Sequence, residues 1–413
     1  MFNILRSGAW LTRQRLRAYP AILLAAFVIA GLALVATAHR GKDIYGHPLG
    51  ADFTEVWTAG HAVLAGAPAR PYDVAAYKRD QDKLFGPSGD FYIWPYPPFF
   101  LAIAALLALC PYGAAFALWQ GTTLALYLTA TFAALRPIRL PTGTALLAAL
   151  AFPAAFINLT HGQNGFLTAA LVGGALVLLP RRPVAAGLGF ALLAYKPHLG
   201  LLIVPALIAG GDWSTLAAGA LGLIAMILAS LAAFGAAPWQ GFFAHLGFSR
   251  AMLEAGAAGF GKFVSPFAAI RLLGGAVPLA YAVQALVTVS LLAIVILVWR
   301  SKTDFRLKAA VLIAANLAAT PYVFDYDLAV LAPALAFALS YGLDKGFRPY
   351  EKSGLALIWI APLLARPAAS VLMIPLGPLA VLLFVIGLVA RGFGEAGASD
   401  RKVRSVFPIN PMR

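Results

Sequence analysis

The stretch PAILLAAFVIAGLALVATA, residues 20–38, carries no charged side chain, and its reading decides the fold. A helix needs about 20 apolar residues to cross the roughly 30 Å hydrocarbon core of a bilayer. This run is long enough, exceeds the ~7–15-residue apolar core of a secretory leader and lacks a convincing cleavage site, so it reads as a retained first span. Arg6, Arg13, Arg15 and Arg17 precede it. Basic residues gather on the cytoplasmic side of spans, which places the N-terminal segment inside. The rest of the chain agrees: 61% of its 413 residues are hydrophobic and 11% are charged, with a mean hydropathy of +0.83. No water-soluble domain has a surface that carries so much apolar residue, so the expected class is an all-α polytopic membrane protein. The net charge of +15 comes from basic residues at span ends; it points to anionic lipid headgroups as partners and not to nucleic acid. Cys110 is the only cysteine, which excludes an internal disulfide and reads as a small packing residue.

Working outward, further apolar segments lie near 97–111, 113–135, 141–158, 165–180, 183–210, 213–235, 277–300, 307–320, 322–343, 354–366 and 370–391. With the first they make about 12 transmembrane helices in one integral-membrane domain, 1–413. Residues 39–95 and 236–275 form two outer loops. The basic loops 300–308 and 345–352 and the tail 392–413, with Arg401, Lys402 and Arg404, are expected to be cytoplasmic. Seven of the 16 acidic residues fall in 39–95, which marks that face as the place for polar chemistry. This count leaves Arg136, Arg139, Arg181 and Arg182 outside, against the charge bias. Reading 97–111 as a half-span and splitting 183–210 at Pro197 would put them inside, and both versions keep the two outer loops where they are.

An ionisable side chain within a span costs roughly 2.5–3.5 kcal/mol, so polar residues in apolar surroundings need a reason. In GADFTEVWTAG, 50–60, and the residues after it, Phe53, Val56, Trp57, Gly60, Val63 and Leu64 recur at helical spacing. They predict a short amphipathic helix lying flat on the membrane surface. Asp52 before that helix and Glu55 three residues later imitate a capping box. Asp52 is therefore a cap, a catalytic base or both. YIWPYPPFF, 92–100, reads as an interfacial aromatic belt, or as Trp94 and Tyr96 lining a sugar or lipid site. In NLTHGQNG, 158–165, His161, Gln163 and Asn164 sit between two spans. In YKPHLG, 195–200, Lys196 lies in an apolar run and Pro197 breaks the helix beside it. Such breaks occur where backbone is buried or lines a polar cavity; Lys196 either faces a phosphate there or snorkels to an interface. In TPYVFDYDLAVLAP, 320–333, Asp325 and Asp327 are two apart and expected on different faces, so they imply no shared metal. The six histidines form no zinc-binding pattern, and no Walker loop, dinucleotide fingerprint or serine elbow occurs. Neither a metal nor a cofactor is expected.

The ordered set GADFTEVWTAGHAVLAG (50–66), PYD (71–73), YPP (96–98), HGQN (161–164), AGLGFALLAYKP (186–197) and TPYVFDYDL (320–328) resembles glycosyltransferase family 87. The resemblance covers about residues 20–390, and it is carried by the order of the motifs and the hydropathy frame together. These enzymes belong to the glycosyltransferase-C (GT-C) superfold, and their best-known members are polyprenyl-phosphate-mannose-dependent α-mannosyltransferases. The resemblance implies a catalytic aspartate near the start of the first outer loop, matched by Asp52, and a second outer loop after the seventh span, matched by 236–275. It implies a lipid-linked sugar phosphate as donor, a lipid or glycan acceptor and no metal. It also implies a bacterial plasma membrane location, with the active site facing the periplasm. The mannosyltransferase members tend to carry histidine where this chain has Asp325, Tyr326 and Asp327, so the resemblance does not extend to the sugar.

The expected reaction follows. A carboxylate takes the proton of the acceptor hydroxyl as it attacks the anomeric carbon, and the lipid phosphate leaves from the opposite face, so the configuration inverts. Asp52 is the expected base. Lys196, supported by His198, is the candidate for the donor phosphate, with Lys262 and Arg271 as outer-loop candidates that read equally as interfacial charges. Glu55 either orients the acceptor or serves the cap. His161, Gln163, Asn164, Asp325, Tyr326 and Asp327 are candidates for sugar or acceptor contacts. The rival from another class is a transporter or flippase of lipid-linked sugars, for which buried Lys196 and Asp327 would couple ions; a matching broken helix in the second half is missing.

Overall fold

The computed structural model describes residues 2–39, 41–87, 89–136 and 141–406, with side chains placed up to residue 394. Arg139 and the side chains of Arg401, Lys402 and Arg404 lie outside the described set. All regular structure among the described residues is helical, apart from three isolated bridges. Six helices are long and apolar enough to cross a membrane: Arg13–Ala36, Trp213–Phe234, Val277–Arg300, Asp325–Lys345, Glu351–Leu372 and Leu376–Gly394. The pair Thr142–Leu150 and Pro153–His161, bent by 51°, would make a seventh.

The other expected spans depart from full length for local reasons. The segment near 183–210 is two apolar helices, Pro183–Tyr195 and Pro197–Gly210, because Pro197 can neither donate an N–H nor let Lys196 stay helical. Lys196 sits at φ −125°, ψ 72°. The segment near 97–111 is the short helix Pro98–Ala108. Tyr112–Leu135 is 24 residues long, but Gln120, Thr122, Thr123, Thr129 and Thr131 make it more polar. At the C-terminal side the expected break after residue 366 is absent. Helix Glu351–Leu372 runs through Pro362 and Pro367, as spanning helices can where neighbours satisfy the freed carbonyls.

Burial sorts the bundle into centre and rim. The span within Asp325–Lys345 is 83% buried, against 11% for Arg13–Ala36 and 6% for Trp213–Phe234. Phe305–Ala318 joins the centre, with every residue from Ala309 to Ala318 buried. Its alanines let neighbouring backbones close in, which is how helices pack without a hydrophobic drive.

Polar contacts define two ends. At one, Arg17 Nε meets Thr144 Oγ1 at 3.4 Å, Arg306 bridges Asp304 and Asp344, and Arg391 pairs with Glu351. The N-terminal segment is clasped there as well: Trp10 Nε1 donates to Ser353 Oγ at 2.8 Å and the Tyr350 amide to the Arg6 carbonyl. At the opposite end, the segment 39–95, the turn after His161, the broken helix at Lys196 and the segment 320–327 converge.

The helix Phe53–Leu64 is the scaffold of that second end, and here the structure corrects the sequence. The helix does not lie flat with one face in lipid. Phe53, Thr54, Glu55, Val56, Thr58, Ala59, Gly60 and Ala62 are all buried in protein. A Cβ at Gly60 would stand 2.0 Å from the Ala104 carbonyl oxygen, so this helix and Pro98–Ala108 touch backbone to backbone. Of the positions that read as membrane-facing, Phe53, Val56 and Gly60 are buried in protein, and Leu64 at the far end is exposed.

Candidate active site

Asp52 stands at the first residue before the helix Phe53–Leu64, but its side chain caps nothing. A capping residue needs extended backbone to fold its oxygen back over the first turn; Asp52 is already helical, at φ −71° and ψ −19°. Thr54 Oγ1 instead donates back to the Ala51 carbonyl at 2.6 Å. The capping-box reading of Asp52 and Glu55 is therefore corrected. The carboxylate of Asp52 turns to the 158–165 turn, where Gln163 Nε2 donates to Oδ2 at 3.0 Å. The backbone repeats the link, with the Asp52 amide donating to the His161 carbonyl at 3.0 Å. Asp52 is half-buried, and its other oxygen, Oδ1, has no protein hydrogen bond among the described residues.

Behind Asp52 lies a closed polar network. Asn164 Nδ2 donates to Tyr96 Oη at 2.8 Å. The Tyr96 hydroxyl then spends its only proton on Glu55 Oε1, also at 2.8 Å. Tyr77 donates its hydroxyl to the Glu55 carbonyl. Gln163 is fixed from behind, its Oε1 accepting the Asn164 amide and its own carbonyl accepting from Gln120 Nε2. Asn158 holds the turn by accepting the Gly165 amide at 2.6 Å. Glu55 is 6% exposed. Burial first, and then the Asp52 charge, push its carboxyl well above the usual carboxylate range, against hydrogen bonds that favour the charged form.

That shift makes a prediction. A carboxyl whose folded pKa is raised contributes its stability below the unfolded value of roughly 4.3, and loses it as pH rises through the folded pKa. The wild-type thermal midpoint should fall on that alkaline limb, and Glu55→Gln should flatten it. Equal pH profiles for the two proteins would show that Glu55 ionises freely in the fold.

The broken helix contributes a tight pair. Lys196 Nζ lies 2.7 Å from Asp327 Oδ1, with side chains 7% and 1% exposed, and 5.0 Å over the Tyr326 ring. Asp327 Oδ2 accepts the Phe324 amide. His198 packs edge-on against Tyr322. Asp325, two residues from Asp327, faces elsewhere: its Oδ2 is 3.7 Å from Arg366 Nη1, and His161, Arg366 and Lys262 act on it electrostatically. The 320–327 segment packs against the 158–165 turn, with the Tyr326 and His161 ring centroids 6.3 Å apart.

Three candidates are placed otherwise than the sequence suggested. Trp94 is fully enclosed, its ring against Tyr96 and Phe100, so it offers no face to a sugar. Tyr96 is also buried, and acts as a link and not a lining. Arg271 is a brace within the segment 236–275. It donates to the Gly275 and Glu254 carbonyls and covers the Phe260 ring. Sequence reasoning missed Arg366, Gln120, Asn158 and Tyr77. Only Arg366 left a signal, as a lone charge inside the apolar run IWIAPLLARPAASVL, 358–372.

The glycosyltransferase family 87 model matches residues 94–321, more than half of the chain. The chain belongs to glycosyltransferase family 87. Neither the curated proteins nor the solved structures contain a match. The matched stretch holds the Gln163–Asn164 turn, the Lys196 break and Lys262; Asp52, Glu55, Asp325, Asp327 and Arg366 lie outside it. Family 87 membership makes the chain a glycosyltransferase, and its apolar helices make it a multi-pass membrane protein. A transferase of this family needs a sugar donor and an acceptor.

Proposed function

We propose that the protein transfers a monosaccharide from a polyprenyl-phosphate donor to a hydroxyl of a lipid or glycan acceptor, at the outer face of the membrane, with inversion and with Asp52 as general base. The observation that carries this is the Asp52 carboxylate. It is half-buried, held at one oxygen by Gln163, free at the other and relieved of any capping duty. A base must be positioned and must have an open lone pair, and Asp52 combines the two. As the acceptor oxygen bonds to the anomeric carbon, its proton passes to Asp52, and the bonding electrons leave with the phosphate. Glu55, whose carboxyl burial and the Asp52 charge push upward, resists adding a second negative charge beside the base. Gln163 and the 320–327 segment stand where sugar hydroxyls would be read, and cations of that end meet the phosphate.

Orientation follows from charge. The end with Arg17, Arg306 and Arg391 takes the cytoplasm and the Asp52 end the periplasm. Counting the bent and broken helices as crossings then gives twelve. Pro98–Ala108 dips in and returns on the outer side, which leaves Arg136, Arg181 and Arg182 inside. The loop 236–275 follows the seventh crossing, as in the GT-C arrangement that the resemblance implies.

The test is chemical. Protein in nanodiscs is supplied with polyprenyl phosphates bearing labelled mannose or other sugars, together with membrane extract as acceptor. One donor should release polyprenyl phosphate and give a product of inverted anomeric configuration. Release from none of them sinks the donor assignment, and retention of configuration sinks Asp52 as the base.

A further inference from the structure

Arg366 is the outlying charge in the bundle. It sits inside an apolar helix between Pro362 and Pro367, and its side chain is 43% exposed. An arginine in a span needs a partner, yet its nearest carboxylate is only loosely engaged. The 3.7 Å from Arg366 Nη1 to Asp325 Oδ2 is beyond hydrogen-bond length. That oxygen, on a side chain only 1% exposed, has no hydrogen-bond partner among the described residues. Asp325 therefore aims the guanidinium without consuming its donors. Lys196 is the opposite case, because recruiting it for a ligand means breaking a buried pair at 2.7 Å, which costs more than such a ligand returns.

A second cation stands beside Arg366. Phe263 forms an antiparallel bridge with Phe324, reinforced by the Val264 amide donating to the Val323 carbonyl at 2.9 Å. In an antiparallel pair the residue before one partner faces the residue after the other, so Lys262 comes opposite Asp325. The same loop packs on the Arg366 helix, where a Cβ at Gly261 would meet Ser370 Oγ at 2.7 Å, one turn beyond Arg366. Lys262 makes no ion pair among the described residues. Two cations thus converge on one carboxylate, an excess of positive charge. Directly beside them is an apolar crevice lined by Phe260, Phe263, Val264, Ala365, Ala369 and Pro378. Ala369 shares the helix face of Arg366, three residues apart.

We infer that Arg366 and Lys262 bind the phosphate of the lipid-linked donor, with its hydrocarbon chain running over the apolar side chains beside them. The inference rests on the donor class proposed above. Charge and apolarity side by side match a lipid phosphate and neither a free sugar nor a neutral lipid. The arginine fork supplies paired donors to the phosphate oxygens, and Lys262 adds a point charge. On binding, Arg366 stays beside Asp325 and offers its unused donors to the phosphate.

The test titrates undecaprenyl phosphate and, separately, undecaprenol into protein held in phosphatidylcholine nanodiscs, with binding read by intrinsic tryptophan fluorescence. The wild type should prefer the phosphate by roughly tenfold or more, the worth of one charge-assisted contact. Lys262→Gln and the charge-balanced double variant Arg366→Gln/Asp325→Asn should each lose most of that preference and keep the affinity for undecaprenol. Asp52→Asn should bind both lipids as the wild type does. The double variant guards against misfolding, since it leaves no unpaired buried carboxylate. If both cation variants keep the full preference, the phosphate sits elsewhere and this inference falls, while the donor class stands. If phosphatidylglycerol displaces the ligand at equal concentration, the site holds an ordinary headgroup and the inference also falls. A wild type that binds phosphate and alcohol equally overturns the donor class itself.

Discussion

Asp52→Asn should fold as the wild type does and turn over its donor about 10²–10⁴-fold more slowly, the span that a positioned base is worth. Asparagine keeps the shape and one carbonyl oxygen. That oxygen can still accept from Gln163 Nε2, which now sits 3.0 Å from Oδ2. No cap is lost, because Asp52 caps nothing, and the backbone link to His161 does not involve the side chain. What disappears is the ability to take a proton. Thermal unfolding in detergent and turnover of a labelled donor, measured on the same preparation, separate the two effects. Wild-type turnover with an unchanged unfolding midpoint would remove Asp52 from the mechanism.

The second large effect concerns stability. Lys196→Met leaves Asp327 charged, 1% exposed and without its cation. Removing one member of a buried pair typically costs about 3–5 kcal/mol, since the charge left behind is uncompensated. Lys196→Met combined with Asp327→Asn should recover most of that loss. Asparagine still accepts the Phe324 amide that Asp327 Oδ2 now holds, and no charge remains. The thermal midpoints of the single and double variants decide it. A single variant as stable as the wild type would mean that water reaches Asp327 and that the pair is not a strut between the broken helix and the 320–327 segment.

The membrane class was legible because hydropathy reports burial in lipid without reference to partners. The break at Lys196–Pro197 was legible too, since a proline inside an apolar run has one local effect. Asp52 was legible as a residue of interest but not as a non-capping one, because capping depends on a backbone angle that the pattern Asp-x-x-Glu does not set. The Phe53–Leu64 helix shows the main limit. An apolar stripe looks the same whether it meets lipid or a neighbouring helix, and only the backbone contact at Gly60 says which. Trp94 was misjudged for a related reason: an aromatic cluster reads as a belt or a binding surface until its neighbours are known to enclose it. The Lys196–Asp327 and Arg366–Asp325 pairings join residues 131 and 41 positions apart, and nothing in local sequence encodes a match over such distances.

The clasp of the N-terminal segment sets an order on biogenesis. Trp10 and Ser353 are 343 positions apart, so the first helix enters the bilayer long before its partner is translated. Arg13–Ala36, 11% buried even in the finished bundle, meets its other partners well before that, Thr144 through Arg17 and Phe156 through Phe27. Closure of the clasp, with the Arg6 carbonyl accepting the Tyr350 amide, is consequently a late step, and it ties the residues before the first span to residues translated 343 positions later.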